Sequence, residues 1–140
     1  MDRIVERCAG LDVGKAIVVA TVRVPGSDGG RHQEARTFAT TTAGLLALAD
    51  WLGSYGVTLV GMESTSVYWK PIFYVLEDRF ECWLLNAQHM RNVPGRKTDV
   101  GDSAWICQLL EHGLVRPSFV PPPPIRELPD GSRSSVWTSR

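Results

Sequence analysis

The stretch from Arg7 to Val24 constrains the fold more than any other. Arg7 to Asp12 (RCAGLD) and Lys15 to Val24 (KAIVVATVRV) are both strand-forming runs, and only Val13 and Gly14 separate them. A parallel crossover needs a dozen residues or more, whereas two suffice for a hairpin turn, so the chain opens with an antiparallel pair. Within the second run IVVA is apolar at consecutive positions, which predicts burial on both faces. The cluster PGSDGG at 25 to 30 turns the chain again, and His32 to Phe38 is expected to return as a third, more exposed strand.

Beyond Thr40 the apolar period changes from 2 to 3.6. Thr41 and Thr42 offer N-caps to a helix whose Leu45, Leu48, Ala49 and Leu52 form one stripe, and Gly56 is its expected stop. Val57 to Met62 (VTLVGM) reads as a short buried strand closing at Glu63. The next helix has Pro71 in its first turn and Ile72, Phe73, Val75 and Leu76 as apolar contacts; Glu81 to Leu85 (ECWLL) is a fifth strand. Asn86 to Thr98 is polar, contains Pro94-Gly95 and reads as a loop. A last helix is expected from Asp99 to His112, with Ala104, Cys107 and Leu110 on one face and Gly113 at its end. The order βββαβαβα defines an α/β fold of the ribonuclease H-like kind, a mixed sheet flanked by helices.

A chain of 140 residues can bury one core, and 44% apolar with 21% charged residues is the balance of a globular domain. No run approaches the roughly 20 apolar residues of a membrane span, and Asp2, Arg3, Glu6 and Arg7 leave no apolar core for a signal peptide; no membrane partner and a cytoplasmic location are expected. Cys8, Cys82 and Cys107 are widely spaced among apolar neighbours, which predicts buried, reduced thiols rather than a disulfide framework or a zinc site. Basic and acidic side chains balance at 15 each, which argues against nucleic-acid binding through a large surplus of positive charge.

Within this pattern four carboxylates stand out. Asp12 ends the first strand, on the same face as Gly10, and a glycine there clears room for a backbone or a metal to approach. Glu63 closes a buried strand, where an unpaired charge is costly, and Ser64, Thr65 and Ser66 follow it; a salt bridge to Lys70 is the structural alternative. Asp99 and Asp102 are explained by helix capping and the helix dipole if each is taken alone. Their i, i+3 spacing also places them on one helix face, about 5 to 6 Å apart at Cβ, where they could share a hydrated divalent ion. At an effective dielectric of 20, like charges at such distances repel by about 3 kcal/mol, so four acids in one pocket would require a cation or proton uptake. Two Mg²⁺ ions roughly 4 Å apart, with Mn²⁺ as a substitute, can serve an in-line phosphoryl displacement, and Asp12 is assigned the bridging position.

Lys15 follows the first acid, Lys70 follows Glu63, and Arg91, Arg96 and Lys97 precede the last pair, so a basic rim for nucleic acid beside an acidic floor is expected, with solvated loop charges as the alternative. Tyr68 and Trp69 could stack on an unpaired base, although aromatic packing beneath the helix is their commoner use. The histidines show no ligand spacing and are assigned no function.

GLDVGK with Asp12, MESTSVYWKP with Glu63, and NAQHMRNVPGRKTDVGDSAWICQLLEHGLVRPSFVPP with Asp99 and Asp102, followed by IREL, closely resemble the N-terminal domain of the DEDD transposases of the insertion-sequence one-ten group, over about residues 4 to 128. The resemblance implies a RuvC-like catalytic domain that binds divalent metal through Asp12, Glu63, Asp99 and Asp102. It also implies excision and insertion of a mobile DNA element, an element-derived guide RNA, homo-oligomeric assembly, and a C-terminal transposase domain bearing a nucleophilic serine. Residues 1–119 are therefore expected to form the catalytic domain. Residues 120–140, with Pro121 to Pro124 and the tail PDGSRSSVWTSR, are expected to be a proline-rich linker and short disordered tail. The second domain is expected to be lacking, through a frameshift or early stop, leaving a fragment inactive in full transposition. Three other readings stay open: a stand-alone RuvC-like resolvase or nuclease, a non-catalytic remnant that binds the full-length recombinase, and an actin-like or sugar-kinase ATPase. The last shares a DxG hairpin like Asp12-Val13-Gly14 but needs a second hairpin and domain.

Overall fold

The computed structural model describes residues 5–27, 29–64, 67–86, 101–115 and 117. The short connection after Asp12 makes the expected hairpin: β1 (Cys8–Val13) pairs antiparallel with β2 (Ile17–Pro25), Val13 lies opposite Val18, and the Gly14 N–H donates to the Ile17 carbonyl at 2.9 Å. β3 (Arg31–Ala39) continues the meander along β2 as an exposed edge strand.

In α1 (Thr42–Ser54) the four residues of the predicted stripe, Leu45, Leu48, Ala49 and Leu52, are all buried. Thr41 caps the helix by accepting from the Gly44 N–H at 3.1 Å, and Gly56, at φ 68°, turns the chain out of it. β4 (Leu59–Ser64) then runs parallel to β1. α2 (Trp69–Leu76) returns with Ile72, Phe73 and Leu76 buried, and β5 (Glu81–Leu84) pairs parallel with β4. The Leu85 N–H still donates to the Met62 carbonyl at 2.8 Å, so the pairing extends to the residue expected to end this strand. The final described element is α3 (Asp102–Glu111). The sheet order is β3-β2-β1-β4-β5.

Alternation along the strands divides the core. Ala9, Leu11, Val18, Ala20, Val22, Val60 and Met62 join the apolar faces of α1 and α2 on one side. Cys8 and Leu59 join Trp105, Ile106, Cys107, Leu109 and Leu110 of α3 on the other. Burial of a Leu or Met side chain contributes about 2 kcal/mol, so both layers are needed to order a chain of this size.

Three expectations change. The IVVA run is not buried on both faces throughout: Ile17 is 51% exposed and Val19 half-buried, because α3 begins above Gly10 and Thr21 and does not extend over the last turn of the hairpin. α3 starts at Asp102 with Gly101 as its N-cap, rather than at Asp99, which lies outside the described residues. Its buried face is wider than Ala104, Cys107 and Leu110. Ala104 is only half-buried, while Ser103, Trp105, Ile106, Leu109 and Glu111 are covered, since Val5, Leu85 and Val115 flank the helix and the Val5 N–H donates to the Glu111 carbonyl at 3.1 Å. Cys8 and Cys107 are buried free thiols as expected, whereas Cys82 is half-buried on the short strand β5. The loop read from 86 to 98, Asn86 apart, and the linker and tail at 120–140 lie outside the described residues. Among the described residues no helix is long and apolar enough to cross a membrane.

Candidate active site

Asp12 and Glu63 are the penultimate residues of two adjacent parallel strands, and they are register partners. Neighbouring strands lie about 4.8 Å apart, so two carboxylates at this position project side by side from the C-terminal edge of the sheet. Two residues earlier in each strand stands a glycine, Gly10 beside Gly61, also register partners. Residues two apart share a face of the sheet, so the glycine pair and the acid pair form consecutive rows on the side that faces α3.

That row of glycines lets α3 settle onto the sheet. A Cβ on Gly10 would lie 2.6 Å from the Cys107 backbone nitrogen and 2.9 Å from Ile106 Cβ, and would collide with the Ser103 carbonyl; a Cβ on Gly61 would meet Leu110 Cδ1 at 2.7 Å. The glycine expected to clear space beside Asp12 therefore admits a helix backbone. Contact is fixed laterally by a buried hydrogen bond of 2.8 Å between the Thr21 and Ser103 hydroxyls, and Thr21 is the register partner of Gly10. Asp102, the first residue of α3, precedes Ser103 and is thereby carried to the acid row.

Electrostatics agree with this placement. The Asp12 carboxyl titrates above its ordinary range, first because burial disfavours the charged form and second because the Asp102 charge repels it. Asp102 itself sits in the first turn of a helix, where the macrodipole favours a negative side chain. Among the described residues no three His, Cys, Asp or Glu side chains stand close enough to hold a metal ion. The structure thus joins Asp12 to Glu63 by register and to Asp102 by field, without closing them into a chelate, and Asp99 lies outside the described residues. The donor set nevertheless suits a hard divalent cation: the carboxylates are oxygen ligands, and their mutual repulsion is the kind that a bound cation relieves.

Lys15, in the turn after β1, and Lys70, in the first turn of α2, are exposed and belong to segments that leave the same edge of the sheet. Arg91, Arg96 and Lys97 lie outside the described residues. Trp69 is buried against Phe73 with ring centroids 5.6 Å apart, which is the packing role; Tyr68 remains 36% exposed. Thr21, Ser103 and Gly61 were not singled out from the sequence. A signal existed for Gly61, since Gly-Met-Glu at 61–63 repeats the spacing of Gly-Leu-Asp at 10–12.

A five-stranded mixed sheet with three antiparallel and then parallel strands, helices on both faces and acids at the central strand ends is a ribonuclease H-like fold of the RuvC type. The chain is similar to Thermus thermophilus RuvC in complex with a Holliday junction substrate, with a TM-score of 0.52 at 9% identity over 81% of this chain and 99% of that one. A second Thermus thermophilus RuvC structure matches with a TM-score of 0.51 at 11% identity, over 80% of this chain and 99% of that one. The model of the DEDD transposase family of the one-ten group, described as "Transposase", matches residues 9–136, further than the resemblance noted to residue 128, and the chain belongs to this family. No curated protein matches it significantly.

Proposed function

We propose that this chain is the RuvC-like catalytic domain of a DNA transposase, which cleaves and transfers DNA strands in a divalent-metal-dependent reaction during movement of an insertion sequence. The observation that carries this reading is the register pairing of Asp12 with Glu63 at the strand ends, with the Asp102 charge acting on Asp12 from the first turn of α3. Asp99 is proposed as the fourth acid of the site. Divalent ions, Mg²⁺ or Mn²⁺ and two in number, would be held by these carboxylates and would supply Lewis-acid activation of the attacking and leaving oxygens. The chain's own groups do the rest. Asp12, the register partner of Glu63 and within the field of Asp102, would supply oxygen donors to the bound cations; Lys15 and Lys70, with Arg91, Arg96 and Lys97, hold backbone phosphates beside the acidic floor.

DNA is the proposed substrate, and a guide RNA and assembly into homo-oligomers extend the family's properties to this chain. Residues 1–119 are proposed as the catalytic domain and 120–140 as linker and tail. A second reading, a nuclease complete in one domain, is favoured by one fact: the chain covers 99% of the length of the resolvase chain it resembles.

Calorimetric titration of Mn²⁺ into the full chain and into Asp12→Asn, Glu63→Gln and Asp102→Asn variants tests the metal site. Saturable binding lost in all three supports one pocket, and equal, weak binding in all four proteins overturns it. Metal-dependent nicking of a branched DNA by the chain alone selects the stand-alone nuclease; binding without nicking selects the domain that needs its partner.

A further inference from the structure

Ser103 occupies an unusual position for the second residue of a helix. It is 5% exposed, its carbonyl fills the space above Gly10, and its hydroxyl bonds Thr21 at 2.8 Å, while Gly10 and Thr21 are themselves neighbours across the β1–β2 ladder. One residue thus touches two adjacent strands directly below the acids. The N-cap of the same helix is Gly101, which has no side chain to cap it with. An uncapped first turn frays unless something outside the helix restrains it. Here the Thr21 hydroxyl supplies one such restraint, and a hydrogen bond is directional where the glycine contact is not: Gly10 sets how closely α3 approaches, and Thr21 sets where its first turn lies along the sheet.

We infer that Thr21 and Ser103 are positioning residues for the acid site, their buried hydroxyl pair holding the first turn of α3 so that Asp102 faces Asp12 and Glu63. This inference rests on the proposed reading of those acids as a metal site, but the placement of the turn can be measured without metal. Neither hydroxyl touches a reacting group; both act through the backbone that carries Asp102.

The test uses the full chain with Thr21→Val, which keeps the shape and removes the hydroxyl, and Thr21→Ser, which keeps the hydroxyl; Ser103→Ala serves if Thr21→Val does not fold. Two readouts are taken: Mn²⁺ affinity by calorimetry, and metal-free amide exchange at Trp105, whose N–H makes the first bond of the helix to the Gly101 carbonyl at 2.9 Å. Loss of one buried hydrogen bond corresponds to about a fivefold change, so Thr21→Val is expected to weaken Mn²⁺ binding and to accelerate Trp105 exchange about fivefold each. Exchange at Leu109 and Leu110 should stay unchanged, and Thr21→Ser should remain within about twofold of wild type on both readouts. Wild-type values in Thr21→Val, equal losses in Thr21→Ser, or acceleration spread evenly to Leu109 and Leu110 would each overturn the inference. If the wild-type chain binds no Mn²⁺, the metal reading fails, and Trp105 exchange alone decides: local acceleration in Thr21→Val with protection in Thr21→Ser upholds the positioning role, and no change removes it.

Discussion

Replacing Gly10 by alanine adds one methyl group at the place where β1 and α3 come closest. The new Cβ would lie 2.6 Å from the Cys107 backbone nitrogen and 2.9 Å from Ile106 Cβ. The Cys107 contact alone is about 1 Å inside ordinary van der Waals contact, and the Ser103 carbonyl oxygen is closer still, so strand and helix must separate by at least that distance. The obstruction is helix backbone, which cannot rotate away, and the far end of α3 is held by Arg23 at 3.0 Å and Arg31 at 2.5 Å from Glu111. Overpacking of a tight core costs 1–3 kcal/mol, and a backbone collision belongs at the top of that range, so a loss of about 3 kcal/mol is expected. At about 4 °C per kcal/mol for a domain of this size, the melting temperature should fall by ~12 °C. Gly61→Ala is the matched control on the partner strand. Its Cβ would meet Leu110 Cδ1 at 2.7 Å and Leu85 Cδ1 at 3.0 Å, ends of side chains that can turn aside. About 1 kcal/mol and ~4 °C are expected there. Calorimetric melting of the three proteins in metal-free buffer measures both. A Gly10→Ala melt within about 2 °C of wild type, or a larger loss in Gly61→Ala, would refute the claim that backbone contact at Gly10 seats the helix.

The remaining predictions concern the charges at the two ends of α3. Because the Asp12 carboxyl is held above its ordinary pKa of 3.8, its contribution to stability is fully present below that value and is lost as pH rises through the raised one. Asp12→Asn in metal-free buffer should therefore melt above wild type at pH 7, with the gap closing as pH falls towards 3.8; a gap that persists or widens in acid contradicts the assignment. Glu111→Gln removes the charge that Arg23 and Arg31 share while Glu111 is 1% exposed, and should destabilise by about 3 kcal/mol in urea denaturation, the low end for a buried pair because both arginines remain partly solvated. A loss below about 0.5 kcal/mol would place this cluster among surface pairs.

How much of this could be read from the sequence depends on where the information lies along the chain. Local signals were sufficient for the meander, since two residues between Asp12 and Lys15 permit only a hairpin, and for α1, whose four-residue stripe matches its buried face. The carboxylates at the ends of β1 and β4 were legible because a charge closing an apolar strand run must find solvent or a partner. Their lateral pairing was not, because register between strands some fifty residues apart is set by packing of both sheet faces. The start of α3 was misplaced by three residues: Asp99 has better capping chemistry than Gly101, yet the helix begins where Ser103 can reach Gly10 and Thr21. Local preference of about 1 kcal/mol yields to a tertiary contact of similar or larger size. Thr21 carries no sequence signal, being one hydroxyl in a strand of valines and alanines, and its role exists only once Gly10, its neighbour in register, has admitted the helix.

α3 also carries an acid at each end, and the two ends need opposite treatment. At the first residue, Asp102 lies with the helix dipole, which favours a negative group there. At the last residue, Glu111 lies against the dipole and is buried, and the fold answers with two guanidinium groups from β2 and β3. Between them Cys8 and Cys107, with sulfurs 3.7 Å apart, continue the same line of contact along β1. The strand face beneath α3 therefore changes from cationic and apolar at one end to anionic at the other, and exposed lysines follow both strands at the anionic end. α3 is held by ion pairs at its basic end, and by the Thr21–Ser103 hydroxyl pair and the close Gly10 contact at its acidic end. The proposed metal site lies at the acidic end, which is why the mildest substitution under α3, Thr21→Val, is expected to act on that site more than on the fold.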